Sequence, residues 1–323
     1  MTISRRGVLS SGLASPFVLR GALAGTATLA GGGLAATPAR ANESAHRFTL
    51  GDSEITVLSD GGLSLPASTL ATNVDDAERS AFLQSHGHDT ETRASAINVT
   101  LIRKGDALIL VDTGAGMNFF QEAGFLADNF DAAGLDRDRV THVVLTHAHP
   151  DHVWGIIDDF DESERFPNAQ YLMGAREWDF WMNPDFLAEN PEELHSFALG
   201  AQRNLGAVAE KITRVDADHA VVSGVTMIAT PGHTPGHMSV LVEDGGAQLL
   251  VLGDALTHPT VSFEKPDWQP STDQVPELAV QTRKTLLDRV ATDGLMLIGY
   301  HLPWPGVGRA EAKDGAWRYV AEG

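Results

Sequence analysis

A chain of 323 residues, 43 % of them hydrophobic, is long enough for one large α/β domain or two small ones. Its 43 acidic against 23 basic residues give a net charge of −20, a surface that repels phosphate backbones, which counts against nucleic acid as a partner. With no cysteine there are no disulfides and no thiolate metal ligands.

The N-terminus reads as an export leader. Ser4-Arg5-Arg6-Gly7-Val8-Leu9 sets paired arginines before a mild apolar stretch, and Ala39-Arg40-Ala41 offers the small residues that a signal peptidase reads. The expectation is a twin-arginine signal over 1–41, a single domain over 42–323, and delivery to the periplasm. Twin arginines suit a route for folded proteins, so a metal could be loaded before export. No apolar run of membrane length follows, and no stable membrane insertion is expected once the leader is removed.

In chain order, Arg47–Asp52 and Glu54–Gly61 alternate and carry β-branched residues between turn formers, which predicts a hairpin. Residues 72–95 are polar and read as helix or loop. Ile97–Ile102 and Leu108–Asp112 form a second hairpin around Lys104-Gly105-Asp106. Phe119, Phe120, Phe125, Leu126 and Phe130 recur at near-helical spacing, predicting a helix over 117–133. Residues 158–212 read as largely helical with Pro-Asp and Asn-Pro breaks, and 276–292 as an amphipathic helix through Leu278, Leu286, Leu287 and Val290.

Five apolar runs end in potential ligands or their neighbours. Leu108–Val111 runs into Asp112, Val143–Leu145 into a histidine cluster, Val225–Ala229 into Pro231-Gly232-His233, Leu249–Leu252 into Gly253-Asp254, and Leu295–Ile298 into Gly299-Tyr300-His301. If these strands share a sheet edge, the groups converge there on loops held by a rigid scaffold. The cluster itself is His147-Ala148-His149-Pro150-Asp151-His152. Three imidazoles and a carboxylate in one short loop suit one or two divalent metals, zinc first.

This cluster, followed by His233, Asp254 and His301, resembles the metal signature of the metallo-β-lactamase superfamily over essentially the whole mature chain. The resemblance implies a four-layer αββα sandwich. It assigns His147, His149 and His233 to one metal, Asp151, His152 and His301 to the other, and Asp254 to both. It gives Asp112 the task of orienting a ligating imidazole. Two divalent ions, zinc or else manganese, iron or cobalt, would share a bridging hydroxide as nucleophile, with Asp151 or Asp254 relaying the proton. The reaction expected is hydrolysis of a small-molecule ester, lactone or phosphotriester; a homodimer is the family expectation.

Within the superfamily the chain is most similar to the methyl parathion hydrolase type. The shared phrases are Gly51–Thr56 with Leu58–Gly61, His233-Thr234-Pro235-Gly236-His237, and His301-Leu302 followed by Pro305-Gly306-Val307-Gly308. By position, that family's aromatic pocket cluster falls on Phe119, Trp181 and Phe197, rings that would grip a leaving group by burial and stacking. Large aromatics also fill cores, so each has that second reading. Trp154, where the family more often has Gly, could narrow the pocket. His258 lies outside the pattern and reads as a pocket base or leaving-group donor, or else as a structural histidine. His237 reads as a loop support.

Two alternatives stand beside this reading. An N-acyl homoserine lactonase typically has Tyr three residues past the bridging Asp, where this chain has Thr257. A non-catalytic zinc-binding protein on the same fold would be expected to have lost ligands, and all seven are present.

Overall fold

The computed structural model describes residues 44–322, so the expected leader lies outside the described residues. Fourteen strands form two seven-stranded sheets, each in chain order. The first holds β1 (Ala45–Leu50), β2 (Ser53–Pro66), β3 (Thr92–Lys104), β4 (Ala107–Val111), β5 (His142–Leu145), β6 (Gln170–Gly174) and β7 (Ile212–Val215). The second holds β8 (His219–Val222), β9 (Val225–Ala229), β10 (Met238–Asp244), β11 (Ala247–Val251), β12 (Met296–Ile298), β13 (Val307–Lys313) and β14 (Ala316–Ala321). Pairing is antiparallel from β1 to β4 and parallel from β4 to β7. In the second sheet β11 and β12 are parallel and the other pairs antiparallel.

Side-chain alternation builds the layers. Ile109 and Val111 of β4 point into a core shared with Val240 and Val242 of β10 and Leu249 and Val251 of β11, the seam between the sheets. Their neighbours Leu108 and Leu110 face outward. There they meet the helices α2 (Leu126–Ala132), α4 (Ala175–Trp181) and α6 (His195–Ala207), with α1 (Asp76–Ser85), α3 (Pro150–Val153) and α5 (Phe186–Glu189) filling the chain order between. On the other side Leu241 and Leu250 face α7 (Val261–Glu264) and α8 (Pro276–Asp293). The result is the four-layer αββα sandwich.

The expected hairpins form as β1–β2 and β3–β4, and the helix expected over 276–292 is α8. It starts with Pro276 in its first turn and stops at Gly294, which takes the left-handed conformation that favours glycine. Three expectations need correction. The helix expected over 117–133 exists only as α2; residues 117–125 are an irregular loop. Asp60, at an irregularity in β2, accepts the backbone N–H groups of Ala115 and Leu126 and pins that loop at both ends. Gly124 has φ +91, and a Cβ there would meet the Gly116 carbonyl oxygen at 2.1 Å, so the loop crosses itself too closely for a helix.

The second correction is β6, hidden inside the stretch 158–212. Tyr171 and Met173 face the helices while Leu172 faces the seam, so the strand is apolar on both sides and has no polar alternation to reveal it. The third is β3, which begins at Thr92, five residues before the predicted start, and carries polar Arg93 and Ser95 as buried residues. Among the described residues no helix is long and apolar enough to cross a membrane.

Candidate metal centre

The five strand ends converge, but from both sheets rather than one edge: β4 and β5 from the first, β9, β11 and β12 from the second. His147, His149, His233 and Asp254 form one group of donor atoms lying within 4.8 Å of one another, and Asp151, His152 and His301 form another. All seven side chains are buried. Asp254 spans the two groups. Its Oδ1 lies 3.3 Å from His152 Nε2, and its Oδ2 lies 3.3 Å from His233 Nε2 and 3.2 Å from His301 Nε2. Asp151 Oδ2 is 3.2 Å from His301 Nε2 and 3.7 Å from His152 Nε2.

Every imidazole is held by its other nitrogen. His152 Nδ1 donates to Asp112 Oδ2 at 2.8 Å. That same oxygen accepts the Thr146 hydroxyl, which in turn accepts from His147 Nδ1 at 3.1 Å. His233 Nδ1 donates to Asp273 Oδ1 at 3.1 Å, and His301 Nδ1 to the Ala96 carbonyl at 2.8 Å. These bonds leave Nε2 as the lone-pair nitrogen of four rings, aimed into the cluster. His149 is reversed: Nδ1 faces His233 Nε2 at 2.9 Å, and Nε2 lies 3.2 Å from the Gln274 amide. Were Nδ1 to hold a metal, Nε2 would carry the proton, and a half-turn of the amide would let the partnerless Gln274 Oε1 accept it.

The donors fit a pair of divalent cations. His147 Nε2, His152 Nε2 and Asp254 Oδ1 are buried without a hydrogen-bond partner. Each such atom costs about 1–3 kcal/mol unless something satisfies it, and a cation between the groups would do so. The electrostatics agree. Burial opposes ionisation of Asp254, but His301, His152 and His233 overcome it and hold the carboxyl well below its usual range. Asp151 is likewise held down by His152 and His301 against the penalty of burial. Burial and neighbouring imidazoles keep His147 and His149 neutral, the state a ligand needs. Burial is outweighed at His152 and at His301, raised to about 9, mainly by the charge of Asp254. Positive charge is therefore demanded where the second metal would sit.

Several supports escaped the sequence reading. Glu177 of α4 is fully buried; its Oε1 accepts Ala148 N–H at 3.0 Å and Trp181 Nε1 at 2.6 Å. Its Oε2 accepts the Thr234 hydroxyl at 2.6 Å and Gly236 N–H at 3.0 Å. One carboxylate thus ties the first histidine loop to the loop that carries His233. Asp273 is in turn held by Arg283 of α8 at 3.0 Å. Tyr300 donates its hydroxyl to the Asp151 carbonyl at 2.6 Å and stacks on His152 with ring centroids 3.9 Å apart. His237 supports its loop as expected, accepting the Asp254 backbone N–H through Nε2 at 3.0 Å.

A cavity of about 780 Å³ opens onto His149, Asp151, His233, Asp254 and His301. Phe119, Phe120, Phe180, Phe197 and Leu194 line its apolar side, and Thr257 lies beside the ligands. Phe119 and Phe197 meet edge to face with centroids 6.1 Å apart. The other candidates fall elsewhere. Trp181 is fully buried beneath the loop, stacked on Phe186 and bonded to Glu177, because its helix turns this ring inward. Trp154 packs against Phe119 and over Gly200 of α6, where a Cβ would stand 2.2 Å from the indole, so it backs the wall rather than narrowing the cavity. His258 accepts the backbone N–H groups of Thr260 and Val261 at 3.2 and 3.0 Å, capping α7, and faces a neighbouring cavity instead.

The profile of the metallo-β-lactamase superfamily matches residues 92–301. The chain is 30 % identical over 186 residues to the N-acyl homoserine lactonase AttM of Azorhizobium caulinodans, covering 55 % of this chain and 65 % of that one. It is 26 % identical over 190 residues to the probable metallo-hydrolase Rv2300c of Mycobacterium tuberculosis, covering 50 % of this chain and 57 % of that one. The matches thus span less than two thirds of the length of these curated relatives. Among solved structures it is similar to AidC, a dizinc quorum-quenching lactonase in complex with a product, with a TM-score of 0.81, 30 % identity, and coverage of 87 % of this chain and 98 % of that one. The hydrolase AbOPH gives a TM-score of 0.80 and 28 % identity at the same coverage. Fold, donor set and these likenesses agree: the chain belongs to the metallo-β-lactamase superfamily and carries the donor set of a metal-dependent hydrolase.

Proposed function

We propose that the chain is a binuclear metal-dependent hydrolase of carboxylic esters and lactones. The observation that carries this reading is the inward aim of five imidazoles and two carboxylates at one locus that opens onto a cavity with an apolar wall. His147, His149 and His233 would hold one cation, Asp151, His152 and His301 the other, and Asp254 both. Bound there, two divalent ions, zinc first and manganese, iron or cobalt as alternatives, supply an acidified water and polarise the scissile carbonyl. The chain's own part is to orient and exclude. Phe119 and Phe197 bury the acyl or aryl portion of the substrate and shed its water. Asp151 and Asp254, both held ionised, can accept a proton released at the reacting centre.

The relatives named as N-acyl homoserine lactonases support lactones as substrates; Thr257 takes the place of the tyrosine that branch typically has, so leaving-group stabilisation here would differ. A second reading, phosphotriester hydrolysis of the methyl parathion hydrolase kind, draws on the Phe119–Phe197 pair, which suits an aryl leaving group. The deciding experiment is metal-reconstituted protein assayed on lactones, aryl esters and phosphotriesters beside metal analysis. Two ions per chain with lactone or ester turnover is the expected result; one ion or none, or no hydrolysis of any class, overturns the proposal. The leader reading adds export to the periplasm by the twin-arginine route, tested by fractionating cells that express the chain with Arg5 and Arg6 intact or replaced by Lys. The proposed homodimer is tested by sedimentation.

A further inference from the structure

Beside the candidate metal centre the start of β3 carries two buried residues, each with a donor that has no partner. Arg93 is 7 % exposed and Ser95 is 2 % exposed. They sit two residues apart on one face of the strand. Arg93 Nε donates to Thr69 Oγ1 at 3.2 Å, while its Nη1 and the Ser95 hydroxyl have no partner. No carboxylate among the described residues forms an ion pair with Arg93. Both residues line the metal cavity and also the neighbouring cavity of about 630 Å³, which contains His88 and His258; His301 borders the two.

An unpaired guanidinium in this position is costly unless a ligand completes it. With two divalent cations and a bridging hydroxide bound, four positive charges would face the three negative charges of Asp151, Asp254 and the hydroxide, so the metal carboxylates would no longer be free to neutralise Arg93. Burial lowers the guanidinium to about 10, which leaves it charged at neutral pH. Burial also holds His258 down to about 3, so its ring adds no charge there. Asp89, on the rim of the second cavity, already accepts the backbone N–H groups of Glu91 and Thr92.

We propose that Arg93 and Ser95 form a carboxylate-recognition subsite at the junction of the two cavities, so that the preferred substrate is an ester or lactone bearing a carboxylate on the side away from the aromatic wall. The planar fork of Arg93 matches a carboxylate's two oxygens, and the Ser95 hydroxyl supplies a third donor. The two cavities then divide the substrate: apolar atoms against Phe119 and Phe197, the scissile carbonyl at the metals, the acidic end at Arg93. Arg93 is a specificity-determining residue in this scheme.

This inference rests on the hydrolase reading for its substrate, and its test has two arms. In the first, metal-loaded protein is assayed on the monoester of 4-nitrophenol with glutarate and on 4-nitrophenyl pentanoate. Wild type should favour the glutarate ester in kcat/KM. Arg93→Met should lower that preference at least about tenfold, Arg93→Lys should keep part of it, and Ser95→Ala should lose less than Arg93→Met. In the second arm, calorimetry compares free glutarate with free pentanoate on the metal-loaded protein; the extra carboxylate should strengthen binding in wild type and in Arg93→Lys but not in Arg93→Met. No preference in wild type, or one that survives in Arg93→Met, overturns the subsite. The calorimetric arm needs no turnover, so absence of hydrolysis counts against the enzyme reading alone. If Arg93→Met does not fold, Arg93→Gln takes its place in both arms, with the same expected and overturning results.

Discussion

The metal centre and the wall of its cavity are built differently. Each ligand follows a strand end, and its free nitrogen or its loop is fixed by a partner on another element, such as Asp112, Asp273, Ala96 or Glu177. The apolar wall comes from the irregular stretch 117–125, from α4 and from α6 with Leu194 just before it, and its rings hold each other by packing. Geometry in the first region is over-determined by hydrogen bonds; in the second it depends on side-chain bulk. Substitutions should therefore break chemistry in one region and shift preference in the other.

The sharpest test of that contrast is Asp254→Asn. Loss of the charge shared by the two groups should cut kcat by about 10³-fold or more, equivalent to ~4 kcal/mol, with metal analysis falling below two ions per chain. Trp181→Ala probes the boundary between the regions. Its ring lies in the core beneath the loop, so denaturant unfolding should show a loss of about 3–5 kcal/mol. Turnover of aryl and aliphatic substrates should drop together; a selective loss on aryl substrates would return the ring to the wall. Asp273→Asn removes the anion behind His233 and should weaken metal binding by about 10–100-fold in chelator competition. Phe197→Ala should raise KM for aryl esters by up to about tenfold and leave metal content at two, the signature of a wall residue.

The last test concerns pH and reads stability rather than activity. Burial, with His88 and Arg93 nearby, pushes His258 down to about 3, against about 6.5 in the unfolded chain. Between those values the unfolded chain binds the extra proton, so this contribution to stability is complete above about 6.5 and is lost as pH falls toward 3. His258→Gln should flatten the acid limb of stability against pH by up to about 1.4 kcal/mol per pH unit. An unchanged slope would show that the ring is not held neutral.

The same contrast governs what the sequence discloses. The seven clustered side chains were legible because a cation needs particular atoms, and His147 to His152, His233, Asp254 and His301 each follow a recognisable apolar run. Glu177 and Asp273 were not, since acidic residues on short helices and loops are common and only the fold reveals that four donors meet one and an imidazole the other. Trp181 and Phe197 look alike as aromatics in a helical stretch. Which way each faces depends on how α4 and α6 pack, and that is set by distant residues. β6 stayed hidden because a strand covered on both faces has no alternation.

Glu177 has one further consequence. Three of its four hydrogen bonds, from Ala148, Thr234 and Gly236, join the two histidine-bearing loops through groups outside the donor cluster, and the fourth, from Trp181, fixes the carboxylate to its own helix. That tie does not depend on bound ions. Stripping the ions with a chelator should leave a vessel that accepts them again at once, with no slow refolding step before activity returns.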